Sequence, residues 1–208
     1  MKKKSKRPAH RKAAGPKKKP VMRHGRKTAR KPRKRAARAS AERMPPSALK
    51  RQYLDAFKRE FPTTLKVMKA YPPGKDDFRP HERSSSTVRI AHTFTIENGG
   101  VIQAIHGEFK MPPSFPPPPA TVAEAAASYE QGAKALIEAV EKMPESRLLE
   151  TVAFFTGPGQ TARIPVIDVL WFMLTDSIHH RGQLAVYVRM AGGKVPSIYG
   201  PSADEPWR

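Results

Sequence analysis

Apolar side chains recur every three or four residues in four separate stretches of the chain, the spacing of one buried helical face. In the first stretch that face is Tyr53, Phe57, Phe61, Leu65 and Met68. Ser47 is placed to cap this helix, and Pro62 is expected to kink it or start a new turn because proline has no backbone donor. Tyr71-Pro72-Pro73-Gly74 ends it. The second stretch carries Val88, Ala91, Thr95, Asn98, Ile102 and Ile105 behind several N-cap candidates in Ser84-Ser85-Ser86-Thr87. Gly99-Gly100 weakens that helix without ending it. The third opens on a capping box, Thr121 with Glu124. It continues through Val122, Ala126, Tyr129, Ala133, Leu136, Val140 and Met143, the seam of a helix in a bundle. The fourth runs from about Pro165 with Val169, Met173, Asp176, His180, Gln183 or Leu184, and Tyr187 on its inner face, and stops at Gly192-Gly193.

The connections differ in kind. Residues 112–119, Pro-Pro-Ser-Phe-Pro-Pro-Pro-Pro, exclude regular structure and predict an extended segment packed over the domain through Phe115. Between Arg147 and Ile164, a Gly157-Pro158-Gly159 turn with apolar flanks is open to a short hairpin or an irregular crossover. Val195 to Arg208 reads as coil. The pattern as a whole predicts an all-α fold, a four-helix bundle over residues 47–208.

Charge separates this domain from what precedes it. Residues 1–46 hold 20 Lys and Arg against one acid, Glu42, a net of +19, which leaves +2 of the total +21 for residues 47–208. A segment of Lys, Arg, Ala and Pro has almost nothing to bury, so a disordered basic N-terminal arm is expected. Such an arm would bind nucleic acid without sequence preference and with steep salt dependence. No aromatic residue interleaves the charges, so base stacking is not available to it. Met44, in frame before Pro45-Pro46-Ser47, allows the alternative that the arm reflects the choice of start site. There is no cysteine, which removes disulfides and thiolate ligands from consideration. The basic N-terminus is not followed by an apolar signal core, and the run from Ile164 to Leu174 is too short to span a bilayer. A cytoplasmic protein is expected, associated with the nucleoid if the arm binds DNA.

The polar residues inside the fourth helix carry the candidate chemistry. Asp176 and His180, four apart, share a face of an otherwise apolar helix. Buried together they need a partner, and either a hydrogen-bonded pair or a metal ion satisfies them. His179 also shares a face with Asp176 at a spacing of three, so spacing leaves open which histidine turns inward. His92 on the second helix is the best third ligand, and two imidazoles with one carboxylate leave coordination positions open, as in catalytic sites. Gly182 in mid-helix suggests a close crossing or ligand approach, and Arg181 is expected to pair with a neighbouring carboxylate. His81 and His106 read as surface or loop residues, and His10 and His24 belong to the arm.

His179-His180-Arg181-Gly182-Gln183-Leu184, then Tyr187-Val188-Arg189-Met190, then Val195-Pro196-Ser197-Ile198-Tyr199-Gly200-Pro201-Ser202-Ala203-Asp204-Glu205 resembles the C-terminal signature of the DinB/YfiT-like family of metalloenzymes. Arg89-Ile90-Ala91-His92, with Glu97 five residues after the histidine, is similar to that family's second helix. The family is distinct from the translesion polymerase that shares the DinB name. The resemblance covers roughly residues 47–206 and implies a four-helix bundle holding a divalent ion through His92, Asp176 and His180, with His179 as runner-up or supporting group. Asp176 stands where the family often has histidine. That substitution lowers the net charge of the site and shifts preference from zinc or nickel toward iron or manganese. The implied activity is that of a metal-dependent enzyme, either a thiol S-transferase using a low-molecular-weight thiol or a hydrolase. The alternative is a damage-inducible, stress-related binding protein whose arm brings the bundle to nucleic acid. The fourth helix is apolar on several sides, with Trp171, Phe172, Leu174 and Ile178 spread around it, which allows a homodimer.

Overall fold

The structure, a computed structural model, describes residues 44–109 and 114–207. The basic arm, with His10 and His24, lies outside the described residues apart from its last few positions. Four helices carry residues 44–207: α1 (Pro46–Lys69), α2 (Thr87–His106), α3 (Val122–Lys142) and α4 (Val166–Met190). Each of α1 and α2 packs against both α3 and α4, which places α1 diagonally across the bundle from α2. A short 3-10 turn, Glu145–Leu149, leads from α3 into a hairpin of β1 (Thr151–Gly157) and β2 (Gln160–Pro165), paired antiparallel. Of the two readings the sequence left open for this stretch, the hairpin is the one formed. It buries Val152 and Phe154 against one end of the bundle and delivers the chain straight into α4.

Local chemistry explains the helix ends. Thr121 Oγ1 accepts from the Glu124 amide at 3.1 Å, while the Glu124 carboxylate accepts from the Ala120 amide at 2.9 Å. The Asp76 carboxylate adds a third bond at this terminus, from the Val122 amide at 2.7 Å. Helix α4 ends with Gly192 at φ +85° and the amides of Gly192 and Gly193 bonded to the carbonyls of Arg189 and Val188. Gly193 is required by space, because a Cβ there would lie 2.9 Å from the Ala70 carbonyl oxygen. At the start of α1 the cap is Pro45 without a side-chain bond, so Ser47 sits inside the first turn rather than capping it. Pro62 lies within a continuous helix that ends at Lys69. Phe115 is 47 % exposed, so the proline-rich segment is not anchored through that ring as expected.

The core is split in two along the bundle axis. Near the hairpin, Tyr53, Leu136, Leu148, Phe154 and Leu170 form one apolar cluster. At the other end, Met68, Phe94, Tyr129, Leu184 and Val188 form a second. Between them in sequence on three helices lie the buried polar residues Thr64, Glu97, Asn98, Ser177 and Arg181. A polar layer of this kind requires its own partners, because each unpaired buried group costs about 1 to 3 kcal/mol.

Candidate metal centre

Helix α2 brings Glu97 into the polar layer because it lies between Phe94 and Val101, both buried, on the inward face. Helix α4 brings Asp176, Ser177 and His180 opposite it, one turn apart. His180 Nδ1 stands 3.1 Å from Glu97 Oε1 and 3.8 Å from Asp176 Oδ2. Ser177 Oγ donates to the other oxygen of Glu97. The Glu97 side chain is 4 % exposed, that of His180 23 % and that of Asp176 37 %, so the group is buried at its back and open at its front.

Burial pushes the Glu97 carboxyl up to about 7, against the opposing pull of its hydrogen bonds from His180 and Ser177. The same contact acts on the other partner. The hydrogen bond to Glu97 holds the His180 imidazole above its usual range despite partial burial. The arrangement favours a proton held between Glu97 and His180 when nothing else is there to neutralise the carboxylate.

Three donor atoms, one from each of Glu97, Asp176 and His180, lie within 4.8 Å of one another. Ligand atoms bound to one divalent ion at about 2.1 Å are separated by about 3 to 3.5 Å, close to the spacing already present. The donor chemistry also fits: two hard oxygens and an imidazole suit a first-row divalent ion. Ser177 supplies the outer-sphere hydrogen bond that orients a ligating carboxylate. Without an ion, the same Glu97–His180 contact orients an imidazole for proton transfer.

His92, the third ligand expected from the sequence, is not part of this group. It is buried on α2, its Nε2 stands 3.1 Å from the Pro116 carbonyl oxygen, and its Nδ1 has no protein partner among the described residues. His179 is exposed and accepts from the Gln183 amide at 2.9 Å, while His180 is the histidine that turns inward. Arg181 pairs with a carboxylate, as expected: it is 1 % exposed and stands 2.7 Å from Glu60 Oε2. It also donates to Tyr199 Oη, which itself donates to the same Glu60 oxygen at 2.6 Å. The close crossing expected at Gly182 is absent, since a Cβ there would meet nothing within 4 Å. His81 and His106 are exposed. Glu97 entered the sequence reading only as a family landmark; an acid flanked by Phe94 and Val101 on a buried face was the available signal.

A cleft of about 440 Å³ opens beside His180, with Ile90, Thr93, Gln183, Val186 and Tyr187 among its walls. Two others are larger, but neither touches Glu97, Asp176 or His180. Size therefore does not mark the site here; contact with the buried polar group does.

The sequence pattern of the DinB family matches residues 44–207. The chain belongs to the DinB family. Its bundle is similar to the crystal structure of a DinB-like protein from Bacillus cereus, with a TM-score of 0.60 and 21 % identity over 71 % of this chain and 95 % of that one. It is similar also to the DinB-like protein YjoA of Bacillus subtilis, with a TM-score of 0.57 and 17 % identity over 71 % of this chain and 96 % of that one. These likenesses establish the fold. In sequence the chain is 33 % identical over 97 residues to the uncharacterized protein YrdA of Bacillus subtilis, a match covering 47 % of this chain and 56 % of YrdA. The chain thus spans little more than half the length of that curated relative. The DinB match begins at Met44, so the basic arm stands outside the family pattern. No helix among the described residues is long and apolar enough to cross a membrane.

Proposed function

We propose that this DinB-family domain is a divalent-metal-dependent enzyme of thiol S-transferase or hydrolase type. The observation that carries the reading is the convergence of Glu97, Asp176 and His180 within 4.8 Å in a layer buried behind and open in front. A bound ion would lower the pKa of a water or a low-molecular-weight thiol in an open position, supplying a nucleophile near neutral pH. The chain's own residues do the rest. Glu97 and Asp176 neutralise the ion, Ser177 holds Glu97 in orientation, and Phe94 packs edge-on against the His180 ring at 6.5 Å between centroids. Two carboxylates with one imidazole favour iron or manganese over zinc or nickel.

Asp176 and His180 are common to the sequence-derived ligand set and the geometric one; the third place separates Glu97 from His92. Metal stoichiometry of the purified protein, measured on Glu97→Gln, His180→Ala and His92→Ala, decides it. Loss of metal in the first two with retention in the third supports Glu97. Retention of full metal in both Glu97→Gln and His180→Ala would refute the centre altogether.

A second reading concerns residues 1–46. Their net charge of +19, set against +2 for the rest, supports non-specific nucleic-acid binding, which would make the protein a stress-related binder with or without catalysis. Binding of a mixed-sequence DNA duplex by the full chain but not by residues 44–208 tests it.

A further inference from the structure

We infer that a second copy of this chain docks on the outer face of α4, the two α4 helices crossing antiparallel near His179 at the rim of the cleft beside His180. The inner face of α4 is filled by the bundle, with Leu170, Leu184 and Val188 fully buried. On the opposite face Phe172, Thr175, His179, Gly182, Val186 and Arg189 follow one another at alternating spacings of three and four, and all are exposed. Asp168, also exposed, precedes Phe172 at the next step of the same series. That series is the seam of a helix packed against another helix, and the bundle uses only the inner one. Phe172 is 44 % exposed and Val186 56 %, with Met190 beside the seam at 52 %. Large apolar side chains gathered in one stripe mark a docking surface, as single ones scattered over a protein do not.

The face is complementary to its own reverse, which points to a second copy as the occupant. Asp168 stands at one end of the seam and Arg189 at the other; Arg189 pairs with Asp204 and is still half exposed. When two such helices run antiparallel about a point near His179, Asp168 comes level with the partner's Arg189, and Phe172 with the partner's Val186. A two-fold axis repeats both matches on its other side. A parallel pair would instead set Asp168 against the partner's Asp168 and Arg189 against the partner's Arg189, like charge against like. Thr175 comes level with the partner's Gly182, where even an added Cβ would meet nothing within 4 Å of its own chain, so the two helices have room to approach. Gln183 and Val186 also line the cleft beside His180, so the second copy closes one side of it. None of this depends on a bound metal. One helix pair of this length covers less than a standard interface, so a Kd in the micromolar range is expected.

Sedimentation equilibrium of the nuclease-treated full chain tests the docking. The wild-type chain is expected to sediment as a dimer at high concentration and to dissociate on dilution. Val186→Glu places a carboxylate at an exposed position, about one turn from the level of the partner's Asp168, and is expected to raise the dimer Kd at least about tenfold. Leu149→Glu, at a similarly exposed position on the turn after α3, is expected to leave it unchanged. Because the chain has no cysteine, single introduced cysteines can carry nitroxide labels without competition. In the dimer, the two labels of Met190→Cys are expected about 20 Å farther apart than those of Thr175→Cys, the difference set by the helical rise on either side of an antiparallel crossing near His179. The label distances are read on folded dimer and so decide the arrangement even if Val186→Glu disturbs folding. A wild-type monomer at the highest soluble concentration, a dimer undisturbed by a folded Val186→Glu, equal weakening by Leu149→Glu, or equal label separations at the two positions would each overturn the inference.

Discussion

Glu97 Oε1 and His180 Nδ1 meet at 3.1 Å between α2 and α4; the contact holds the imidazole above its usual range and opposes the burial that pushes the Glu97 carboxyl up. A divalent ion binding at this pair would have to displace the proton they hold. With Glu97 pushed up to about 7 and His180 raised as well, affinity for a divalent ion should fall steeply as pH drops from 8 to 6. Calorimetric Kd values across that range check this. A flat profile would mean that Glu97 is not a ligand.

The same contact makes a prediction about the metal-free protein. Both groups have folded-state pKa values above their ordinary ones, so each contributes stability that is complete at low pH and lost as pH rises through its folded value. Between the ordinary carboxylate range and about 7, the apo protein should therefore lose stability, and Glu97→Gln should flatten that loss. Urea midpoints at pH 5.5 and 8, taken with a chelator present, measure it.

Asp176→His should keep the site. An imidazole offers a donor at the same turn of α4, and exchanging a carboxylate for it shifts preference toward zinc or nickel. Metal content after growth in mixed metals reads the shift, and complete loss of metal would show that the second carboxylate is indispensable.

Arg181→Met should cost about 3 to 5 kcal/mol, because it leaves the Glu60 carboxylate without its buried partner. Tyr199→Phe, which removes one hydroxyl from the same network, should cost about 1 kcal/mol. Denaturant unfolding of the two variants separates a buried ion pair from a merely adjacent one.

Two glycines of one helix and its cap should respond in opposite directions. Gly182→Ala should stabilise by about 1 kcal/mol, since the added methyl meets nothing and the helix gains propensity. Gly193→Ala should destabilise by about 1 to 3 kcal/mol through its clash with the Ala70 carbonyl. Thermal unfolding of both is sufficient.

The Asp176 and His180 positions were legible in the sequence because a carboxylate and an imidazole in an apolar helix stand out against their neighbours. Glu97 was harder to read. Its helix carries apolar or small residues on more than one face, with Ile90, Phe94 and Val101 buried alongside Val88, Ala91 and Ile105, so periodicity did not show which side pointed inward. The sequence likewise raised a close contact at Gly182, where there is open space, and did not raise the one at Gly193, where Ala70 of another element arrives.

Sequence alone determined the four helices and the charge boundary near residue 46, because helix periodicity, capping and charge are local properties of neighbouring residues. Tertiary structure decided the rest. The approach of Glu97 to His180, the turn of His180 rather than His179 toward the interior, and the burial of Arg181 against Glu60 and Tyr199 all depend on side chains from different elements. Desolvation and pairing energies belong to that three-dimensional neighbourhood, and no spacing along one chain encodes which distant group will fill it.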